Sequence, residues 1–230
     1  AKSDTFQVEY EGLKLLENTN TIRVPNVIAF DNNFLILEFI PQSKPCSSFW
    51  KNFGSSLAKV HQQTNEKFGL DFDNYIGSLC QSNAQKKNWT DFFIQNRLLA
   101  QLHIGNYSLS VKQDFEKLFE KLPDIFPVSS PSLLHGDLWS GNFLIKDEKT
   151  PVLIDPAIYF GDREMDIAMC RLFGGFHTDF YINYNERFPL ENGWEERINI
   201  CNLYPLLVHV NLFGERYLNQ VKNILSYYVG

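Results

Sequence analysis

Apolar residues recur along this chain with two different periods. From Asp4 to about Asn18, residues Phe6, Tyr10, Leu13 and Leu16 fall on one helical face. Asp4, with Gln7 three residues on, resembles a capping box and predicts how that helix starts. Next come two short apolar runs, 27–30 and 34–39, flanking Asp31-Asn32-Asn33; this is a strand, a turn and a strand. Pro41 and Pro45 break the pattern, which places a lobe boundary near residue 41. Beyond it the periodicity is mainly helical. Helices are predicted near 47–63, 89–104, 111–122, 165–173, 178–185 and 194–227, the last broken near Gly214. Phe92, Phe93, Phe115 and Phe119 sit at helical spacing and read as core. Short strands are predicted at 132–134, 143–146 and 151–154, with Asp147-Glu148-Lys149-Thr150 as a turn. There is no internal repeat and no low-complexity segment.

The chemistry concentrates at the second strand group. His135, Asp137 and Asn142 stand two and then five residues apart (137 − 135 = 2; 142 − 137 = 5), the spacing H-x-D-x-x-x-x-N of a kinase catalytic loop. Asp155 ends the apolar run Val152-Leu153-Ile154. Phosphoryl transfer asks a protein for few groups, held rigidly. Asp137 is the candidate base for the attacking hydroxyl. Asn142 and Asp155 offer the hard oxygen ligands that Mg²⁺ prefers. His135 reads as a brace for the loop. The pattern therefore predicts an α+β, protein-kinase-like fold, with a small mixed N-terminal lobe (1–40) and a mainly helical lobe (41–230) bearing short catalytic strands.

Composition narrows the partners. The net charge is −6 and the pI about 5.4. A nucleic-acid surface needs clustered Lys and Arg, and Lys86-Lys87 is the strongest basic cluster, so no nucleic-acid partner is expected. No run reaches the ~18 apolar residues of a membrane span, and the start, Ala1-Lys2-Ser3-Asp4, carries no apolar signal region. Cys46, Cys80, Cys170 and Cys201 form no C-x-x-C pair and read as free thiols of a cytoplasmic protein. The sequons at Asn88 and Asn106 then carry no meaning.

The run His135-Gly136-Asp137-Leu138-Trp139-Ser140-Gly141-Asn142 resembles the fructosamine-kinase (ketosamine-3-kinase) family, relatives of aminoglycoside and choline phosphotransferases. The blocks at 154–157, 161–168, 173–176, 189–190, 193–194 and 206–214 are similar to the family as well, as are 9–13 and Val24-Pro25. The resemblance implies an ATP- and Mg²⁺-dependent kinase. It would act on the sugar hydroxyl of ketosamines, the fructosamine- or ribulosamine-type adducts of glycation, and so release the amine. It also implies that Glu38, Phe39 and Ile40 form a hinge meeting the adenine through backbone groups. Glu9 would pair with a phosphate-binding Lys. A glycine-rich strand pair and that strand Lys are expected before the first helix. Neither is visible: Lys2 lies seven residues before Glu9 (9 − 2 = 7), too close for a strand, a connection and a helix turn. These residues alone are therefore expected to cover the phosphates poorly and to turn over weakly.

Several side chains keep two readings. Trp139 either stacks on the sugar face or packs the loop. His209, among Leu207, Val208, Val210 and Leu212, is either a satisfied core histidine or part of the acceptor pocket. Asp162 and Asp166 either cap the following helix and tie down the catalytic loop or take part in the chemistry. Glu164 faces a substrate amine or the solvent. An acidic acceptor pocket would suit a cationic amine. His61 and His103 fit helix faces, His177 a loop, and none is assigned chemistry. Two other functions stay open. One is an aminoglycoside- or choline-type phosphotransferase, which Trp139 and the 173–176 run disfavour. The other is a non-catalytic, pseudokinase-like nucleotide-binding module, which Asp137, Asn142 and Asp155 oppose. Sequence does not set the oligomeric state.

Overall fold

The helix-period stripes of the sequence become packed faces in the computed structural model, which describes residues 4–230. In chain order the elements are α1 (Thr5–Asn18), β1 (Val27–Phe30), β2 (Leu35–Leu37), α2 (Phe49–His61), β3 (Asn74–Ile76) and β4 (Leu79–Gln81). Then come α3 (Trp89–Phe92), a π-helical segment (Phe93–Leu99), α4 (Ala100–Ile104), α5 (Leu109–Ile125), β5 (Ser132–Leu134), β6 (Phe143–Lys146), β7 (Thr150–Leu153) and β8 (Tyr159–Gly161). The chain ends with α6 (Glu164–Leu172), α7 (Thr178–Arg187), α8 (Trp194–Phe213), a 3₁₀ turn (Glu215–Tyr217) and α9 (Leu218–Val229). β1–β2, β3–β4, β5–β8 and β6–β7 form four antiparallel pairs.

The helical core is built from regular spacing. On α5, Val111, Phe115, Leu118 and Leu122 are buried, and Ser108 caps the first turn by accepting from the Val111 N–H. On α2, Phe49, Phe53, Leu57 and Val60 are buried. α8 is buried on most sides from Ile198 to Val208, which makes it the central helix. Gly214 breaks the last helical run with a positive φ of 87°. No helix among the described residues is long and apolar enough to cross a membrane.

Four expectations change. α1 does not use the capping box. The Asp4 carboxylate accepts from the Tyr75 hydroxyl at 2.5 Å, and Gln7 donates to Glu11 at 2.8 Å, so a distant phenol takes the acceptor meant for helix N–H groups. β2 stops at Leu37, because Glu38 turns its carboxylate onto Arg23 and its N–H onto the Asn26 carbonyl. The helix predicted over 89–104 contains a π segment, and that wider turn brings two adjacent polar residues, Asn96 and Arg97, inward together. The β3–β4 hairpin and β8 lie where no element was predicted; each strand is only three residues long, too short to show a period. Lys2 lies outside the described residues.

The hairpin β1–β2 is tied to the catalytic strands. Arg23 bridges Val152 of β7, and its carbonyl accepts the Leu153 N–H at 2.9 Å. Past the hairpin, Ser43 N–H donates to the Ile145 carbonyl at 3.0 Å, and Gln42 Oε1 accepts from Ile145 N–H at 2.8 Å.

Candidate active site

The catalytic-loop segment is fixed largely by side chains bonded to main-chain groups. Gly136 adopts φ 84°, and a Cβ there would stand 2.0 Å from the Ala157 carbonyl oxygen, so only glycine fits. The His135 ring is fully buried. Its Nε2 lies 3.0 Å from the Ile154 carbonyl, which can only accept, so Nε2 carries the proton. Nδ1 is then free to accept the Asp137 N–H at 3.3 Å. Burial holds this imidazole below its usual pKa, in the neutral form that the pattern requires. Asp166 of α6 accepts the His135 and Gly136 N–H groups at 2.7 and 2.9 Å. The loop therefore hangs between the end of β7 and the start of α6.

Asp137, Asn142 and Asp155 meet in one cleft. Asn142 Nδ2 donates to the Asp137 carbonyl at 2.9 Å and to its carboxylate at 3.0 Å. This fixes the amide and leaves its oxygen unspent. Asp155 has a left-handed φ of 53°, a conformation Asp tolerates better than most residues. The adjoining end of the cleft is lined by Glu9 of α1, with Asn74, Tyr75 and Gly77 of the β3–β4 hairpin. Burial, then the Asp155 charge, pushes the Asp137 carboxyl up to about 7. The same two causes, in the same order, push Glu9 up to about 7. Acidic oxygens thus converge with too little positive charge around them.

That donor set fits Mg²⁺. No three His, Cys, Asp or Glu side chains among the described residues form a metal cage. Mg²⁺ needs none when a carboxylate and an amide oxygen are completed by phosphate and water.

The other wall of the cleft is apolar and aromatic. Ile76, Met169, Val208, Leu212 and Phe213 line it beside Trp139 and His209. Trp139 is 39% exposed and meets Phe173 edge-on at 6.4 Å. A Cβ at Gly141 would lie 2.3 Å from the Trp139 ring, so the indole also packs over its own loop. His209 is half-buried, with Phe173, Phe213 and Tyr217 around its ring. Its Nδ1 lies 2.7 Å from the Pro205 carbonyl and must donate there, which leaves Nε2 as an acceptor. Burial holds its pKa below the ordinary value.

Other expected residues go elsewhere. Glu164 neither faces the cleft nor the solvent: it is 2% exposed and holds Arg197 through two bonds of 2.8 and 2.6 Å. The acceptor wall is therefore not acidic beyond Asp137 and Asp155. Asp162 caps the start of α6 through the Glu164 N–H at 2.9 Å. Glu38 spends its carboxylate on Arg23, at 2.6 and 2.8 Å; Phe39 is 85% exposed and Ile40 buried, and none of the three lines the cleft. His103 is exposed, and His177 caps α7. All four cysteines are free. Sequence reasoning missed the hairpin residues Tyr75, Ile76 and Gly77 altogether.

The comparisons with known proteins bear on this arrangement. The family model for fructosamine kinase matches residues 1–229. The chain belongs to the fructosamine kinase family. Within this family, the Vibrio parahaemolyticus protein named "Probable ketoamine kinase" is 42% identical, over 96% of this chain and 81% of its own length. A chloroplastic protein-ribulosamine 3-kinase of Arabidopsis thaliana is 34% identical, over 97% of this chain and 72% of its own. The solved structure of a fructosamine-3-kinase-type protein from Thermobifida fusca superposes with a TM-score of 0.93 at 34% identity, covering 98% of this chain and 80% of that one. A Streptococcus pneumoniae choline kinase shares the fold alone, at 16% identity and a TM-score of 0.66. The fructosamine kinase fold is thus the protein-kinase-like phosphotransferase fold, as the sequence pattern predicted.

Proposed function

We propose that this fructosamine kinase phosphorylates a sugar hydroxyl of ketosamines with ATP, destabilising the adduct so that the amine is freed. The observation that carries the reading is the cleft itself. Asp137, Asn142 and Asp155 share it with an aromatic wall formed by Trp139 and His209.

Asp137 accepts the hydroxyl proton; the amide of Asn142 orients its carboxylate. Asn142 and Asp155 would hold Mg²⁺, which when bound would supply charge neutralisation at a transferring phosphate. The hinge, Glu38, Phe39 and Ile40, lies outside the cleft that holds Asp137 and Asp155 and would meet adenine through backbone groups other than the Glu38 N–H, which already donates to the Asn26 carbonyl. Glu9 stands beside Asp155, where a cation of the phosphate-binding machinery would balance both. Trp139 covers the sugar ring, and His209 Nε2 accepts an N–H or O–H of the substrate. The apolar wall favours a ketoamine over a polycationic aminoglycoside, because it offers few carboxylates to a second or third ammonium. His135 and Asp166 hold the loop. We place the protein in the cytoplasm, on its free thiols.

The test is ADP release with fructosyl-lysine and ribulosyl-lysine, against kanamycin and choline. Ketosamine-dependent ADP release, absent with the other two, is expected. Equal rates with kanamycin would overturn the substrate reading, and no metal-dependent binding of ATP would overturn the kinase reading.

A further inference from the structure

Asp166 is 1% exposed, so its charge must be met inside the protein. Its oxygens are met from three directions. Two are the loop N–H groups of His135 and Gly136. The third is His61, the last residue of α2, whose Nε2 lies 3.1 Å from Asp166 Oδ2. His61 is fully buried too, and its Nδ1 lies 2.7 Å from the hydroxyl of Tyr184 on α7. A carboxylate only accepts, so His61 Nε2 carries a proton and donates to Asp166, while Nδ1 is bonded to the Tyr184 hydroxyl. The bonds form one chain: Tyr184, His61, Asp166. The close approach of α2 and α7 makes this chain possible. A Cβ at Gly54 would lie 2.1 Å from the Phe180 carbonyl oxygen, one turn before Tyr184. Burial alone would raise the Asp166 carboxyl, yet the hydrogen bond from His61 and the groups of His135 outweigh it and hold it below the ordinary value.

We infer that His61 and Tyr184 are positioning residues for phosphoryl transfer: they hold Asp166, and Asp166 holds the two amides that precede Asp137. The inference rests on the reading of Asp137 as the base. A residue that merely filled volume would need no donor aimed at a carboxylate. Leucine would serve as well, and glutamine, which can place an N–H near the Nε2 position, would offer no advantage.

The experiment uses His61→Leu, His61→Gln and Tyr184→Phe in the full chain. The first readout is amide hydrogen exchange, which needs no substrate. In His61→Leu, exchange at residues 135–137 is expected to rise by roughly tenfold or more while the α9 amides keep their rates. The second readout is kinetic. For His61→Leu, kcat should fall ~10–100-fold, as for loss of a partner that orients a working group, with KM for both substrates unchanged. His61→Gln should recover most of that loss, and Tyr184→Phe should show a smaller fall. Unchanged exchange at 135–137, a rise spread evenly over the chain, or no rescue by glutamine would each overturn the inference. A loosened loop in a protein that phosphorylates no ketosamine would uphold the brace and strike the function assigned to the site instead.

Discussion

Two buried polar clusters hold the cleft from opposite sides, and they are built on opposite charges. Beside the catalytic loop the centre is an anion, Asp166, ringed by N–H donors from His61, His135 and Gly136. Beneath the β3–β4 hairpin the centre is a cation, Arg97, fully buried. Among the described residues it has no carboxylate partner. It donates to the Ser82 carbonyl at 2.6 Å, the Asn96 carbonyl at 3.1 Å and Asn83 Oδ1 at 2.9 Å, and its guanidinium lies 3.9 Å from the Tyr159 ring centre and 4.5 Å from that of Phe92. From there the bonds continue. Asn83 donates to Asn74, Asn74 to the Ile158 carbonyl, and Gln81 to the Ala157 carbonyl, just past Asp155. In both clusters, oriented dipoles and rings stand in for most of the counter-charge. The anion fixes the loop before Asp137; the cation fixes the segment after Asp155.

The largest effect is expected on what both clusters support. Asp137→Asn should cut kcat by ~10²–10⁴-fold, the usual worth of a positioned base, with ATP affinity, measured by calorimetry, nearly intact. A fully active variant would remove Asp137 from its role and leave the two clusters with nothing to explain. Next is the cation. Arg97→Met strands the Asn83 and Ser82 acceptors and should cost about 3 kcal/mol in urea unfolding, at 1–3 kcal/mol per orphaned group; a loss near zero would mean that the hairpin needs no charge beneath it. The third effect is on pH. Asp137 must be ionised to accept a proton, and its pKa is raised to about 7. kcat/KM should therefore climb as pH rises through about 7, by roughly tenfold between pH 6 and 8, since a group titrates over about two units. A profile flat down to pH 5 would show an ordinary carboxylate. The smallest effect is on the acceptor wall. His209→Ala should raise KM for the ketosamine about fivefold, the worth of one hydrogen bond of ~1 kcal/mol, without changing KM for ATP.

The two sides also differ in how legible they were. The loop side was readable because its chemistry needs fixed spacing: His135, Asp137 and Asn142 announce themselves, and Asp166 follows one helical turn after Asp162. Its deepest member was not. His61 looks like any polar residue at the end of an amphipathic helix, and only the packing of α2 on α7 turns it inward. The hairpin side left less trace. Asn74 and Gln81 are buried where apolar residues would be expected, so strands of three residues, with only Ile76 apolar and buried among them, carry no alternation to read. Glu164 was misjudged for a similar reason, since its partner Arg197 lies 33 residues on, a pairing that local pattern does not carry. The long helices and the fold class were legible because periodicity over ten or more residues outweighs local irregularity.

Arg23 joins these themes mechanically. Its backbone is stitched to β7, while its side chain clamps Glu38 at the exit of the first hairpin. Asp155 lies two residues past the end of β7. Any swing of that hairpin would therefore load the strand that delivers Asp155, through a clamp that salt screens.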